Sequence, residues 1–130
     1  LIIDASAVIA ILSHDPEREK FVDAMDSAST LSMSAVNHFE LAIKVDRSLD
    51  PVFARRFAEL IRDSAIEVVP VSLAQAAIAR DAYRDFGKGS GHPAQLNLGD
   101  CFAYALATVT RRPLLYKGND FVHTDIKSAV

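Results

Sequence analysis

The chain has 130 residues, 50% of them hydrophobic and 24% charged, with a formal net charge of −3 and one cysteine. That size and balance suit one domain, spanning 1–130, around a single core, and the acidic total argues against a nucleic-acid binder that works by bulk positive charge. A lone cysteine excludes an internal disulfide framework, and no apolar run is long enough for a membrane span or shaped like a signal sequence, so the expectation is a cytoplasmic protein without membrane association.

Leu1-Ile2-Ile3-Asp4 reads as a short buried strand ending in a carboxylate. Ser6 offers an N-cap for a helix over 7–13, and Pro16 opens a second helix that runs to about Ser27. Residues 30–33 read as a second strand, after which Ser34 caps a helix to about Asp46. Asp50-Pro51, a cap followed by proline, leads into the helical stripe Phe53, Phe57, Leu60 and Ile61. That stripe is more apolar surface than a small sheet obviously needs. Residues 66–71 predict a third strand and 72–86 a helix. The glycine-rich segment 87–93 predicts a mobile surface loop. A helix then starts at Asn97 or Gly99 and runs to Thr110, apolar nearly all round and therefore central, before Pro113 and a fourth strand over 114–116. Strands alternating with helices define an α/β sandwich on a mainly parallel sheet of four or five strands.

Four acids occupy positions that ask for an explanation. Asp4 ends the first strand, where parallel sheets bind ligands, though a carboxylate there also serves to cap the next helix. Glu40 shares a helical face with Val36 and Ile43. Its ordinary roles are an i,i+4 pair with Lys44, worth about 0.2–0.5 kcal/mol, or a capping box with Asn37. Asp100 lies in the first turn of the apolar helix, where the helix dipole favours an acid. Asp120 follows the fourth strand across Lys117-Gly118-Asn119, an ordinary place for a turn residue. Together they say more than singly, because these strand ends and this helix start face one edge of a parallel sheet. Carboxylates gathered there repel one another and raise each other's pKa, a conflict that a divalent cation resolves. An oxygen-only ligand set suits Mg²⁺ or Mn²⁺ rather than Zn²⁺.

Rival chemistries lack their partners. His14, His38, His92 and His123 are scattered, and His38-Phe39-Glu40, although shaped like the H-x-E of nucleobase deaminases, has no P-C-x-x-C to complete it. There is no GxSxG elbow, phosphate loop or GxGxxG after a strand. Cys101, within Cys101-Phe102-Ala103-Tyr104-Ala105, reads as a buried small hydrophobe.

Several segments, in this order, resemble the VapC-type toxins of the PIN-domain ribonuclease family: Ile2-Ile3-Asp4-Ala5-Ser6, Ser34-Ala35 through Glu40, Asn97 through Gly99-Asp100-Cys101-Phe102-Ala103-Tyr104, and Leu114-Leu115-Tyr116-Lys117-Gly118-Asn119-Asp120-Phe121. The resemblance covers essentially the whole chain. It implies a PIN-like three-layer sandwich and an acidic site of Asp4, Glu40, Asp100 and Asp120, with Asp125 the alternative fourth acid. It implies Mg²⁺ on Asp4 and Asp100, with Mn²⁺ a substitute, Ser6 hydrogen-bonded within the site, and Asn119 lining it. It also implies an RNA substrate, a homodimer and a cognate antitoxin. Lys44, Arg47, Lys88 and Lys117 are the candidates for steering the RNA backbone. Two other readings stay open on the residues: a catalytically silent PIN module, and a phosphoacceptor receiver domain, which needs paired acids where Asp4-Ala5-Ser6 has one.

Overall fold

A two-residue strand, β1 (Ile2–Ile3), lies inside the sheet of the structure, a computed structural model describing residues 1–130. It is flanked by β2 (Ser32–Ser34) and β4 (Leu114–Leu115), and β3 (Glu67–Val69) pairs with β2 at the edge. The order is β3-β2-β1-β4 and every pairing is parallel. Consecutive side chains on a strand point to opposite faces, so two residues are enough to bind two layers. Ile3 and Leu115 enter one core, together with residues of α1 (Ala5–Leu12), α2 (Arg18–Asp26), α3 (Ala35–Ser48) and α4 (Pro51–Asp63). Ile2 and Leu114 enter the other, with α5 (Leu73–Phe86) and α6 (Leu98–Thr110). The result is the expected three-layer α/β sandwich with four strands. No helix is long and apolar enough to cross a membrane.

Local chemistry moves several boundaries. The first helix begins at Ala5, not Ala7, because Asp4 itself is the cap: its carboxylate accepts from the Ser6 N–H at 2.9 Å. The strand therefore passes into the helix with no linker. Pro16 does not open α2; the Asp15 side chain accepts from the Glu17 N–H at 2.9 Å and forms a turn, and the helix starts at Arg18. The second strand is 32–34, starting two residues later and ending one later than expected, and β3 ends at Val69 because Pro70 has no N–H for a ladder. Asp50 caps α4 as expected, accepting from the N–H groups of Val52 and Phe53.

The stripe on α4 is used internally. Phe57 is buried, and the partly buried Phe53, Leu60 and Ile61 pack against the α1–α4 core. The glycine-rich segment is tied at its ends, the Lys88 N–H donating to Leu96 O and the Leu96 N–H to Phe86 O, with His92 edge-on to Phe86 at 4.9 Å between ring centroids. At the sheet's far end, the Arg112 guanidinium donates to Ser32 Oγ, Leu1 O and both oxygens of Thr30, clamping the strand starts.

Candidate active site

Asp4 is 3% exposed at the C-terminal end of β1. Its Oδ2 accepts from both the backbone N–H and the hydroxyl of Ser6. The same hydroxyl oxygen accepts from the Lys117 N–H at 3.0 Å, just beyond β4. Ser6 thus joins the ends of two neighbouring strands and holds Asp4 at the seam.

Glu40 comes from α3, whose start is fixed by Ser34 accepting from the Val36 N–H. It is half-buried, and its Oε2 accepts from Asn37 Nδ2 at 3.1 Å. Asn37 is not a capping residue, as the sequence allowed. It lies fully buried in the first turn of α3, and its Nδ2 also donates to Gly99 O of α6 at 3.0 Å.

Asp100 stands at the third position of α6. Asn97 Oδ1 accepts from the Asp100 N–H at 2.8 Å and Asp100 Oδ2 accepts from the Asn97 N–H at 2.9 Å, a reciprocal capping box. The ordinary helix-start role of Asp100 is therefore real, and so is its placement. Asp4, Ser6, Glu40, Lys44, Arg47, Asn97 and Asp100 line one cavity of about 600 Å³.

The electrostatics show the strain expected of gathered acids. Burial pushes the Asp100 carboxyl up to about 7, opposed by the Asn97 N–H and reinforced by the charges of Asp4, Asp120 and Glu40. Burial also raises Asp4, against the Ser6 hydrogen bonds and with the charge of Asp120 adding to it. Glu40 is raised by burial too, with Asn37 and Lys44 pulling it down and Asp4 pushing it up. Asp4, Glu40 and Asp100 thus each feel at least one neighbouring carboxylate. Yet no group of three acid, histidine or cysteine side chains is placed to hold one ion, and Asp4, Glu40 and Asp100 each accept a hydrogen bond from a protein donor.

The remaining sequence candidates divide. Asp120 acts electrostatically on both Asp4 and Asp100, whereas the Asp125 carboxylate accepts from the Tyr104 hydroxyl at 2.7 Å. Asn119 lines a different hollow, beside Glu17 and Lys117. Lys117 is committed elsewhere, its Nζ held by Asp15 and Glu17. Two contributors escaped sequence reasoning: Asn37, whose polar amide on a helix looked like a cap, and Asn97, read only as a helix start. The signal was there in an asparagine one turn before Glu40 and another one turn before Asp100.

The PIN domain family matches residues 1–127. Ribonuclease VapC28 of Mycobacterium tuberculosis is 48% identical over 130 residues, covering 100% of this chain and 98% of the relative. Among solved structures, Mycobacterium tuberculosis VapC20, described as a sarcin-ricin loop cleaving toxin, superposes with a TM-score of 0.71 at 13% identity over 96% of this chain and 95% of that one. A toxin–antitoxin complex from Klebsiella pneumoniae superposes with a TM-score of 0.68 at 16% identity, covering 92% of this chain and 88% of that one. The chain belongs to the PIN-domain family, and within it to the VapC ribonucleases. That membership sets aside the receiver-domain reading.

Proposed function

We propose that this chain, 1–130 as one domain, is the toxin of a toxin–antitoxin pair and hydrolyses RNA phosphodiester bonds with Mg²⁺, or Mn²⁺ in its place, held by Asp4 and Asp100. The observation that carries this is one cavity lined by three carboxylates, all with raised proton affinity, and by two cations, Lys44 and Arg47. The donors fit a hard divalent ion: they are all oxygen, and the hydrogen bonds that Asp4 and Asp100 accept fall on Oδ2, leaving the other oxygen of each for a further ligand. Such an ion, when bound, supplies charge to a scissile phosphate and acidity to water.

The protein's own groups do the rest. Ser6 fixes the Asp4 carboxylate at the end of β1, and the capping box fixes Asp100 opposite it. Glu40 orients water at the attacked phosphorus, and Asp120, outside the cavity lining, adds its charge to Asp4 and Asp100. Lys44 and Arg47 follow Glu40 by one and two turns of α3 and meet the RNA backbone at the cavity's rim. The relatives named ribonucleases and the superposable toxin–antitoxin complex support the reading, which takes a cognate antitoxin and a second copy of the chain as partners.

Incubation of structured RNA with the protein tests it. Cleavage is expected with Mg²⁺ and is expected to stop on adding EDTA. Cleavage that survives thorough chelation would refute the metal's role, and an absence of any cutting would make the chain a silent binding module. The double variant Lys44→Ala with Arg47→Ala is expected to raise KM for RNA and to flatten the dependence of log KM on log salt by about 0.7 for each phosphate no longer neutralised. Salt dependence identical to wild type would remove both residues from the RNA path.

A further inference from the structure

Gly99 has an ordinary helical position, the second of α6, where its backbone makes no demand for glycine and where alanine is the better helix former. Space is the reason for it. A Cβ built on Gly99 would overlap Oε1, Oε2 and Cδ of Glu40, far inside van der Waals contact. The Glu40 carboxylate therefore lies flat against the first turn of α6, in the gap that the missing side chain leaves. From the other side, Asn37 Nδ2 donates to Glu40 Oε2 and to Gly99 O at once. The amide is fixed in that sense, because its reverse would set Oδ1 against two oxygens. It is kept although Asn37 Oδ1 is buried without a partner, an arrangement that ordinarily costs stability.

We propose that Asn37 and Gly99 are positioning residues that hold the Glu40 carboxylate against the start of α6, beside Asp100. Gly99 gives the carboxylate its seat, and Asn37 links it to the helix that carries Asp100. The inference rests on Glu40 acting in catalysis only for its kinetic arm; the packing of Glu40 on Gly99 is tested separately.

Urea unfolding of a double-mutant cycle between Gly99→Ala and Glu40→Ala reads that packing without any activity. In the Glu40→Ala background the seat is empty, so Gly99→Ala is expected to raise the unfolding midpoint. In the wild-type background the same change meets the carboxylate and is expected to shift the midpoint less or to lower it. Asn37→Leu, which removes the donor, is expected to lower the midpoint less in Glu40→Ala than in wild type. Equal shifts in the two backgrounds would overturn the proposal. In RNA cleavage, Gly99→Ala is expected to lower kcat by up to about a hundredfold, the scale of a misplaced catalytic group, with KM within about twofold. An unchanged kcat in a protein that cuts RNA would overturn it as well, whereas a wild-type chain that cuts no RNA would count against the ribonuclease reading and leave the unfolding cycle to decide.

Discussion

Asp100→Asn is expected to slow RNA cleavage by a factor on the order of 10²–10³ and to leave the protein folded. The size follows from charge: a metal acting as a Lewis acid contributes several kcal/mol to the transition state, and each ~1.4 kcal/mol is tenfold in rate. Asparagine keeps an oxygen in place to accept the Asn97 N–H now bonded at 2.9 Å, so the capping box and the start of α6 survive. It also removes a negative charge from among Asp4, Asp120 and Glu40, each of which raises Asp100. The loss is thus one of chemistry and not of fold. Initial rates at saturating Mg²⁺, with circular dichroism on the same samples, make the comparison. A variant that cuts at the wild-type rate would show that Asp100 is only a helix cap.

The metal-free protein is expected to lose stability as pH rises from about 5 to about 7. Asp100 sets the sign: its carboxyl is raised from 3.8 to about 7 in the folded state. Between those values the folded chain binds more protons than the unfolded one, so stability falls with increasing pH. The contribution is fully present below 3.8 and is lost as pH rises through about 7. Asp4 and Glu40 are raised as well and act in the same direction. The lowered acids, Asp15, Glu17 and Asp85, act in the opposite direction only at more acid pH. Mg²⁺ is expected to flatten or reverse the slope, since an ion binding only the folded, ionised site stabilises by mass action. Urea midpoints across the pH range, with and without Mg²⁺, measure both effects. Stability that climbs from about pH 5 to about pH 7 in the metal-free protein would contradict the electrostatic picture of the site.

Much of this was legible in the sequence because the governing interactions are local. The order of strands and helices follows from hydrophobic periodicity, and the caps at Ser34 and Asp50 from residues that bond their own neighbours. Asp4, Glu40 and Asp100 are brought to one cavity by the parallel sheet, a consequence of topology that short motifs carry. What stayed hidden depends on distance in sequence. The burial of the Phe53 and Phe57 stripe requires α1 and α3 to be in place. The commitment of Lys117 to Asp15 and Glu17 spans about a hundred residues. Asn37 reaching Gly99 spans 62 residues, so the asparagine one turn before Glu40 gives its link to Glu40 and not its link to α6. The first helix had two cap candidates in the sequence, Asp4 and Ser6, and the immediate turn from strand to helix decides for Asp4.

Calorimetric titration of Mn²⁺ into the wild-type protein, Asp4→Asn and Asp100→Asn at about neutral pH, with circular dichroism to show that all three are folded, tests the central claim most directly. The acid cavity as a divalent-cation site predicts binding to the wild type that is lost, or weakened beyond measurement, in both variants. Binding of undiminished affinity in both would contradict it.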